Sequence, residues 1–368
     1  MRLTPAAAVR QAGRRRGLAA AGLAAALLAS AAAGCSSGSS SSTPASSGSA
    51  TSSAPVTLRL GFLENITHAS ALIGIKEGFF TKNLGSNVTL KLYPFSTGTQ
   101  EATALLAGQL DAAYVGPNPA IEAWQKSDGK LIKVISGAAS GGAELVVKSG
   151  ITSAAQLKGQ KLASPSLGNT QDVSMRYWLK TQGLTTSPTG GGDVPITPIS
   201  PNSDAVLAFE SGSIAGGWEP APYDAEMLAD GGHVLVDEAS LWPGGQFVTT
   251  ELVATQSFIA AHPSVITGLL KGQIEANNFI ASNQSAAQTA ANAELAAVSG
   301  KGLKSSIVTA SFEQVAFTND PIASSLITDA QHAVDVGLLQ PVNDLNAIYD
   351  LGPLNKLLAA DGQPQVSS

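Results

Sequence analysis

Residues 56–80 read VTLRLGFLENITHASALIGIKEGFF, and this stretch decides the fold. Its first seven residues alternate in polarity and are β-branched at the start, which is typical of a strand. A polar turn follows, and apolar residues at helical spacing then predict a helix that ends near Gly78. Strand, polar turn and helix together form the repeating unit of an α/β sheet. We therefore expect the side chains of the turn, such as Asn65 and His68, to lie at the carboxyl edge of that sheet.

The same rhythm continues toward the C-terminus. Further strands are predicted within 87–95, 110–116 and 131–140, and helices within 98–109 and 119–127. The rhythm restarts near residue 143 and runs to about residue 238, so the fold class is α/β in two halves. We predict parallel sheets with helices on their faces, and a mostly helical segment from residue 249 onward.

The N-terminal 34 residues have the composition of a secretory signal. They hold five arginines and no acidic residue, then an apolar stretch from Leu18 to Leu28 that is too short to span a bilayer comfortably. Residues 35–54 are almost wholly Ser, Gly, Thr, Ala and Pro, which predicts a flexible linker. The single cysteine of the chain, Cys35, begins this linker.

Charge and cysteine content exclude several classes of function. The chain has 21 basic and 27 acidic residues, and without the five leader arginines 16 basic residues remain, hence a net charge of −11. Such a chain offers no basic surface to nucleic acid, so we expect no nucleic-acid partner. With one cysteine, disulfides and thiolate metal sites are not available.

Catalytic and cofactor motifs are also missing from the sequence. The four histidines have none of the spacings of metal ligands, and no phosphate-binding loop, nucleophile elbow or dinucleotide fingerprint occurs. We therefore expect no metal, no cofactor and no enzymatic activity. His68 is the one candidate for acid–base chemistry, because it follows directly on the first strand.

Small polar residues and glycines follow nearly every predicted strand. Each alone is an ordinary helix cap or turn residue, but the repetition favours a shared ligand-binding edge. The most informative example is SLGNTQDVSMRYWLK (166–180), in which Asn169 can cap a helix and Asp172 can pair with Arg176. Trp218, at the end of a later strand, could stack on a ligand or fill the seam between the two halves.

Five stretches in the same order resemble the solute-binding lipoproteins of ABC transporters for nitrate, sulfonate and taurine, the NMT1-like family. They are LRLGFLENITHASALIGIKEGFFTKNLG (58–85), GTQEATALLAGQLDAAYVGPNPAIEA (98–123), LKGQKLASPSLGNTQDVSMRYWLKTQGL (157–184), GGWEPAPYDAEML (216–228) and TELVATQSFIAAHPSVITGLL (250–270). The resemblance implies a type II periplasmic-binding-protein fold, with two α/β lobes around a ligand cleft joined by two crossings near Glu144 and Thr250. Lobe I would comprise residues 55–144 and 251–368, and lobe II residues 145–250.

The resemblance also implies a location and partners. LASAAAGC (28–35) is similar to a lipobox, so residues 1–34 would be a lipoprotein signal peptide and Cys35 the site of lipid attachment. The chain would then be exported and anchored to the outer face of the cytoplasmic membrane. There, as a monomer, it would capture a small molecule and deliver it to a permease that works with an ATPase subunit.

Ligand contacts in such proteins come from the strand-end loops, which implies twelve ligand-binding residues here. They are Asn65, Thr67, His68, Thr97, Gly98, Thr99, Asn118, Gly141, Asn169, Thr170, Trp218 and Glu219. The loops contain no Arg or Lys but do contain Glu64, Asp172 and Glu219, which predicts an acidic cleft suited to a zwitterion such as taurine, a cation or a neutral heterocycle. A binder of a pyrimidine or thiamin precursor, and an exported enzyme using His68 with Glu64 or Glu219, remain the alternatives.

Overall fold

Eleven strands in two separate sheets form the framework of the computed structural model, which describes residues 54–368. The strands are β1 (Val56–Leu63), β2 (Val88–Phe95), β3 (Ala112–Val115), β4 (Ile132–Gly141), β5 (Ala143–Lys148), β6 (Leu162–Ser164), β7 (Ile196–Pro198), β8 (Gly216–Pro220), β9 (Gly232–Asp237), β10 (Val248–Thr255) and β11 (Val315–Phe317). The predicted signal peptide and Cys35, and almost all of the predicted linker, lie outside the described residues.

The first sheet has six strands in the order β11-β4-β10-β3-β1-β2, and with its helices we call it the first lobe. Strands β1, β2 and β3 are parallel, whereas β10 lies antiparallel between β3 and β4. The second sheet, β7-β6-β8-β5-β9, with its helices is the second lobe. There β5 is antiparallel to both of its neighbours. Both sheets are therefore mixed, so the prediction of parallel sheets is wrong for β5, β10 and β11.

Thirteen α-helices are described in residues 54–368. They are α1 (Ala69–Lys76), α2 (Phe79–Leu84), α3 (Gly98–Leu106), α4 (Pro117–Lys126), α5 (Thr170–Thr181), α6 (Asn202–Glu210), α7 (Tyr223–Ala229), α8 (Gln256–Ala261), α9 (Pro263–Ser282), α10 (Gln284–Ser299), α11 (Ser305–Gln314), α12 (Ala323–Asp335) and α13 (Gly352–Ala360). Helix α1 ends before Gly78, as predicted, because that glycine takes a left-handed conformation (φ 72°) that starts a new helix. Within this part of the chain, no helix combines the length and hydropathy needed to cross a bilayer.

Strand β10 is the element that the sequence pattern missed. Residues 249–259 were predicted to begin a helical region, but residues 248–255 form a strand whose eight residues are all buried. A fully buried strand need not show a regular alternation of polar and apolar residues, and this one, VTTELVAT, runs straight into α8, so its sequence resembles the start of that helix. The helical prediction holds for the chain that follows, apart from the three-residue β11.

Each lobe has apolar cores on the two faces of its sheet. In the first lobe, Leu58, Leu60 and Phe62 of β1 pack with α1, α2, α9 and α10, and Val115 and Val253 pack on the other face with α3, α4 and α12. In the second lobe, the two faces are covered mainly by α5 on one side and by α6 and α7 on the other. Covered faces on both sides leave only the sheet edges open to a ligand.

The chain passes between the sheets twice, side by side. The first passage is Gly142 alone, between β4 and β5, and the second is residues 238–247, which contain two short 3₁₀ turns between β9 and β10. Gly141 and Gly142 both have positive φ (79° and 74°), so the chain turns sharply from one sheet into the other. A Cβ on Gly142 would lie 2.4 Å from Cγ2 of Val315, so this passage has no room for a side chain.

The first passage makes a testable prediction about stability. We expect Gly142→Ala to lower the free energy of unfolding by about 2–4 kcal/mol, because it adds a steric clash to the cost of a non-glycine residue at positive φ. Gly159→Ala is the matched control: its φ is also +74°, but nothing lies within 4 Å of its Cβ position. In urea unfolding, the control should lower the free energy of unfolding by only about 1 kcal/mol. Equal losses of stability in the two variants would contradict the close approach of Gly142 to Val315.

Candidate functional site

The carboxyl edges of the two sheets face each other and are in direct contact. The backbone N–H of Ile66 donates to the carbonyl of Ala221 at 3.0 Å, and the hydroxyls of Thr99 and Ser166 lie 3.0 Å apart. The phenol of Tyr223 donates to the carbonyl of Glu64. These contacts join strand-end loops of the first lobe to strand-end loops of the second. The structure therefore shows the two lobes closed on one another.

A small cavity lies between these loops. Its volume is about 10 Å³, which leaves room for about one water molecule. The lining consists of Leu63, Asn65, Thr67, His68, Ser96, Thr97, Gly116, Asn169, Thr170, Gln171, Asn202, Pro220 and Thr249. Six of the twelve predicted ligand-binding residues are in this set: Asn65, Thr67, His68, Thr97, Asn169 and Thr170.

Four helices begin at this cavity. Thr97 and Gly116 are the N-cap residues of α3 and α4, Asn169 and Thr170 begin α5, and Asn202 is the first residue of α6. The first N–H groups of a helix have no partner within the helix, and its N-terminus carries a partial positive charge. The Thr97 hydroxyl accepts from Gln100 N–H, but the N-cap residues of α4 and α5 make no side-chain cap bond. Backbone donors of several helices are therefore directed toward one small volume.

Two buried polar atoms of the lining have no hydrogen-bond partner. They are the hydroxyl oxygen of Thr170 and the amide oxygen of Asn202, and both residues are almost wholly buried. An unpaired buried polar atom costs about 1–3 kcal/mol. A ligand or a water that bonds to these atoms would remove that cost, so they mark the cavity as a place where a polar molecule binds.

His68 is held neutral at the base of the cavity. Burial lowers the pKa of its imidazole to about 3, and its Nδ1 accepts the backbone N–H of Leu63 at 3.2 Å. The proton of the neutral ring is therefore assigned to Nε2. Such an imidazole can donate one hydrogen bond from Nε2, but at neutral pH it lacks the second proton of the imidazolium that would act as a general acid, and it is a weak base.

The lining is neutral, so the prediction of an acidic cleft is wrong. None of the thirteen described lining residues is Asp, Glu, Lys or Arg, and His68 is uncharged at neutral pH. Asp172 is buried behind the loop before α5, where it accepts from Ser164 Oγ (2.7 Å), from Gly168 N–H (3.0 Å) and from Arg176 Nε (2.8 Å). These bonds compensate its charge and hold the loop that carries Asn169 in place. The pairing of Asp172 with Arg176 is as predicted.

Three other predicted residues border the cavity. A Cβ on Gly98 would lie 2.7 Å from Cγ of Pro119 and 3.2 Å from Oδ1 of Asn169, so a glycine allows the start of α3 to lie this close to α4. Thr99 contacts Ser166, and the carbonyl of Gly141 accepts the hydroxyl of Thr249 at 2.6 Å. These residues act in the contact between loops, and we assign them to the rim of the cavity.

The structure places Asn118, Trp218 and Glu219 outside the cavity. The amide of Asn118 donates to the carbonyl of Asp329, on α12. Trp218 is fully buried in the core of the second lobe, with its indole N–H bonded to Glu238 at 2.7 Å. Glu219 points to the opposite face of β8, because successive side chains of a strand alternate. Of the residues at this strand end, only Pro220, which is not in the predicted set, lines the cavity.

Thr249, Asn202 and Gln171 are lining residues that the predicted set lacks. Thr249 lies near the start of β10, and because β10 is antiparallel, its beginning meets the carboxyl ends of β3 and β4. That position could be found only once β10 was recognised as a strand. Gln171 and Asn202 follow predicted strands in the sequence, so the strand-end rule does point to them.

Several carboxyl groups are buried near the first passage between the lobes. Glu144 on β5 lies in register with Glu219 on β8 and with Asp237 on β9. Burial and the neighbouring Asp237 raise the pKa of Glu144 to about 7. Burial, with the charge of Asp224, also raises the pKa of Glu219 well above its ordinary range. In the part of the chain that the structure describes, no three His, Cys, Asp or Glu residues are grouped as metal ligands.

Comparison with known proteins gives a family and a fold. The family profile described as the NMT1-like family matches residues 51–296. A protein of Brucella abortus (strain 2308), named only as a binding protein, is 27% identical over 262 residues, which are 68% of this chain and 78% of that protein. The taurine-binding periplasmic protein of Escherichia coli (strain K12) is 25% identical over 208 residues, 56% of this chain and 61% of that protein.

Solved structures with the same fold have lower sequence identity. The alkanesulfonate-binding protein SsuA of Xanthomonas axonopodis pv. citri, bound to MOPS, has a TM-score of 0.67 at 18% identity, covering 82% of this chain and all of that one. The nitrate-binding protein NrtA of Synechocystis PCC 6803 has a TM-score of 0.65 at 16% identity, covering 80% and 84%. The desulfurization enzyme DSZB has a TM-score of 0.61 at 16% identity, covering 83% and 99%. The fold thus occurs in binding proteins and in an enzyme.

The buried carboxyl of Glu144 predicts a pH dependence of stability. Because the folded protein holds this proton more tightly than the unfolded chain does, the contribution favours folding below about pH 4.5 and is lost as pH rises toward 7. We expect the free energy of unfolding of Glu144→Gln, relative to that of the native chain, to be higher at pH 8 than at pH 5 by about 1 kcal/mol or more. Urea unfolding at the two pH values measures this gain.

The control for this experiment is Glu210→Gln, which removes an exposed carboxylate at the end of α6 in the same lobe. Its stability relative to the native chain should be the same at both pH values. A Glu144→Gln variant that behaves like this control would show that Glu144 titrates as an exposed group.

Proposed function

The chain belongs to the NMT1-like family, and on that premise we propose that it is the extracytoplasmic solute-binding receptor of an ABC importer. In this role it captures a small sulfonate, taurine, nitrate or a related organic anion and delivers it to a membrane permease. The observation that carries the proposal is the cavity between the lobes, where four helix N-termini and two unpartnered polar atoms converge. The names of the taurine-, alkanesulfonate- and nitrate-binding relatives support this choice of ligands.

The chemistry of the lining favours an anion or the anionic end of a zwitterion. Helix N-termini and the hydroxyls of Thr67, Thr97 and Thr170 supply donors, and no carboxylate in the lining opposes a negative charge. Each sulfonate or nitrate group offers three acceptor oxygens to such donors. His68 is the one ring in the lining, so a flat heterocycle would find little to stack on, and the pyrimidine alternative gains no support.

A hinge between the lobes is the second part of the proposal. The closed cavity of about 10 Å³ is smaller than any of these solutes, so binding requires the lobes to separate and to close again on the ligand. We place the hinge at the two passages, Gly142 and residues 238–247, with lobe limits near residues 144 and 250. An occupied cavity would then hold the lobes slightly further apart than in this structure.

We further propose that the protein is a receptor and not an enzyme. The low pKa of His68 and its bond to Leu63 N–H make it unsuited to acid–base chemistry at neutral pH. A cysteine nucleophile is not available in the folded body either, since Cys35 is the only cysteine of the sequence. A receptor should bind its solute and release it chemically unchanged.

The hydroxyl of Thr170 gives the sharpest test. We expect taurine, a short alkanesulfonate or nitrate to bind the purified full chain in calorimetry and to raise its stability as RT ln(1 + [L]/Kd). Thr170→Val should weaken that binding about tenfold, because it removes a hydrogen bond to a charged group. The same variant should leave the stability of the ligand-free protein unchanged or slightly raised, because the hydroxyl has no partner there.

Thr289→Val, on the exposed face of α10, is the control and should bind like the native chain. If Thr170→Val binds the solute with the same affinity as the native chain, the ligand binds somewhere other than this cavity. Conversion of the solute to a product by the purified chain would overturn the receptor assignment in favour of an enzyme.

The proposed membrane anchor has its own test. We propose that residues 1–34 are a lipoprotein signal peptide, that Cys35 carries the lipid and that the monomeric receptor is tethered beside its permease by residues 36–54. A diacylglycerol supplies two chains, which stable anchoring requires. Cys35→Ser should move the protein from the membrane fraction to the soluble exported fraction, while Ser36→Ala should not. A Cys35→Ser protein that stays on the membrane would refute the anchor.

A further inference from the structure

A second, larger cavity lies between α5, α12 and the second passage between the lobes. Its volume is about 340 Å³, within the usual range of small-molecule sites, and about thirty times that of the cavity at the strand ends. Helix α5 belongs to the second lobe and α12 to the first, so the walls of this cavity come from both lobes. None of the twelve residues implied by the sequence lies in it.

Four of the ten lining residues carry aromatic rings. Tyr177 on α5 stacks on His332 of α12 with ring centroids 3.5 Å apart, and Trp242 lies 5.6 Å from the same histidine. Trp178 adds a fourth ring beside the mouth, where it packs edge-on against the buried Trp218 at 6.1 Å. Burial lowers the pKa of His332, so this ring is uncharged at neutral pH. Aromatic faces carry negative partial charge, and several of them around one space attract a cation.

A carboxyl group forms the floor of this cavity. Glu238 is 1% exposed and accepts hydrogen bonds from Ser174 Oγ at 2.7 Å, from Trp218 Nε1 at 2.7 Å and from the side chain of Trp242. A carboxylate has about four lone-pair sites, so Glu238 keeps one for a ligand. The carboxyl of Asp329 is buried close by, where burial and the charges of Glu238 and Glu251 raise its pKa.

No basic side chain in the lining competes for this carboxylate: the ten described residues that line the cavity include no Lys or Arg. Lys180, on the same helix as Tyr177, is exposed and donates to the carbonyl of Asp335. The mouth is open and apolar, with Leu241 at 47% exposure. Aromatic walls, an acidic floor and an apolar mouth together suit a molecule with a positive head and an apolar body.

We propose that the cavity between α5, α12 and residues 238–243 is a second ligand site, which binds a small organic cation such as an aromatic or alkyl ammonium compound. The ammonium lies beside the rings of Trp242 and Tyr177 and near Glu238, and the apolar body lies toward Leu241. This site is separate from the cavity at the strand ends, and it takes a ligand of the opposite charge.

The test measures the binding of phenyltrimethylammonium to the purified full chain by calorimetry. It is done at pH 8 because Glu238, whose pKa is raised to about 7, is then mostly ionised. The uncharged 2-phenylpropan-2-ol, of nearly the same shape, is the matched control compound. We expect the cation to bind with a submillimolar dissociation constant and the alcohol at least tenfold more weakly. Equal affinities for the two compounds, or no binding of the cation at 10 mM (about −2.7 kcal/mol at that limit), would overturn the proposal.

Two variants locate the site. Glu238→Gln keeps the shape of the floor and should weaken cation binding at least fivefold, whereas Glu226→Gln, on α7, should not change it. Thr328→Trp places a ring into the cavity from its exposed rim and should abolish binding, whereas Thr309→Trp, exposed on α11, should not. Thr328→Trp changes no residue of the core, so it can test the location of the site even if Glu238→Gln does not fold. Undiminished binding by a folded Thr328→Trp protein would show that the cation binds elsewhere.

Discussion

The convergence of four helix N-termini on one small volume is the constraint on which the rest of the structure depends. Helices α3, α4, α5 and α6 can meet there only if the strands before them end at facing edges of two different sheets. That requirement forces the chain to cross between the sheets, and it places small residues where loops must touch. Each N-terminus stabilises a negative charge by about 0.3–1 kcal/mol. Together with hydrogen bonds to charged groups, such dipoles can hold an anion without a buried counter-ion and its desolvation cost.

The charges of the chain are placed to keep that volume neutral. Asp172 is next to the cavity in sequence, yet its bonds to Ser164, Gly168 and Arg176 direct its charge into the second lobe. Glu144 and Glu219 lie in the second sheet near the first passage, where burial favours their protonated forms. The negative charge of the folded body is therefore kept from the strand-end cavity, while Glu238 contributes to the aromatic cavity between α5 and α12.

The sequence was sufficient for the α/β rhythm, for the turn after β1 and for the start of α5, because each depends on local pattern and turn chemistry. It was insufficient for β10, whose burial and antiparallel pairing depend on strands more than one hundred residues earlier in the chain. Missing β10 also concealed Thr249 as a lining residue. Trp218 and Glu219 show the other limit: both end a strand, but which face each side chain takes depends on the register of β8 against β5. An acidic residue near a strand end, such as Asp172 in the first turn of α5, likewise says little about the charge of a cleft until its partners are known.

The position of β10 also determines the order in which the molecule can assemble. The strands of the second sheet are contiguous in the chain, from β5 to β9, and can pair as soon as they are present. The first sheet has a gap between β3 and β4 that only β10 fills, so its two halves stay unjoined until the entire second lobe has been made. Contacts of such long sequence separation form slowly, because the intervening chain must first be brought to order. We therefore expect the first lobe to be completed late in folding, and the strand-end cavity, with Thr249 in its wall, to form only then.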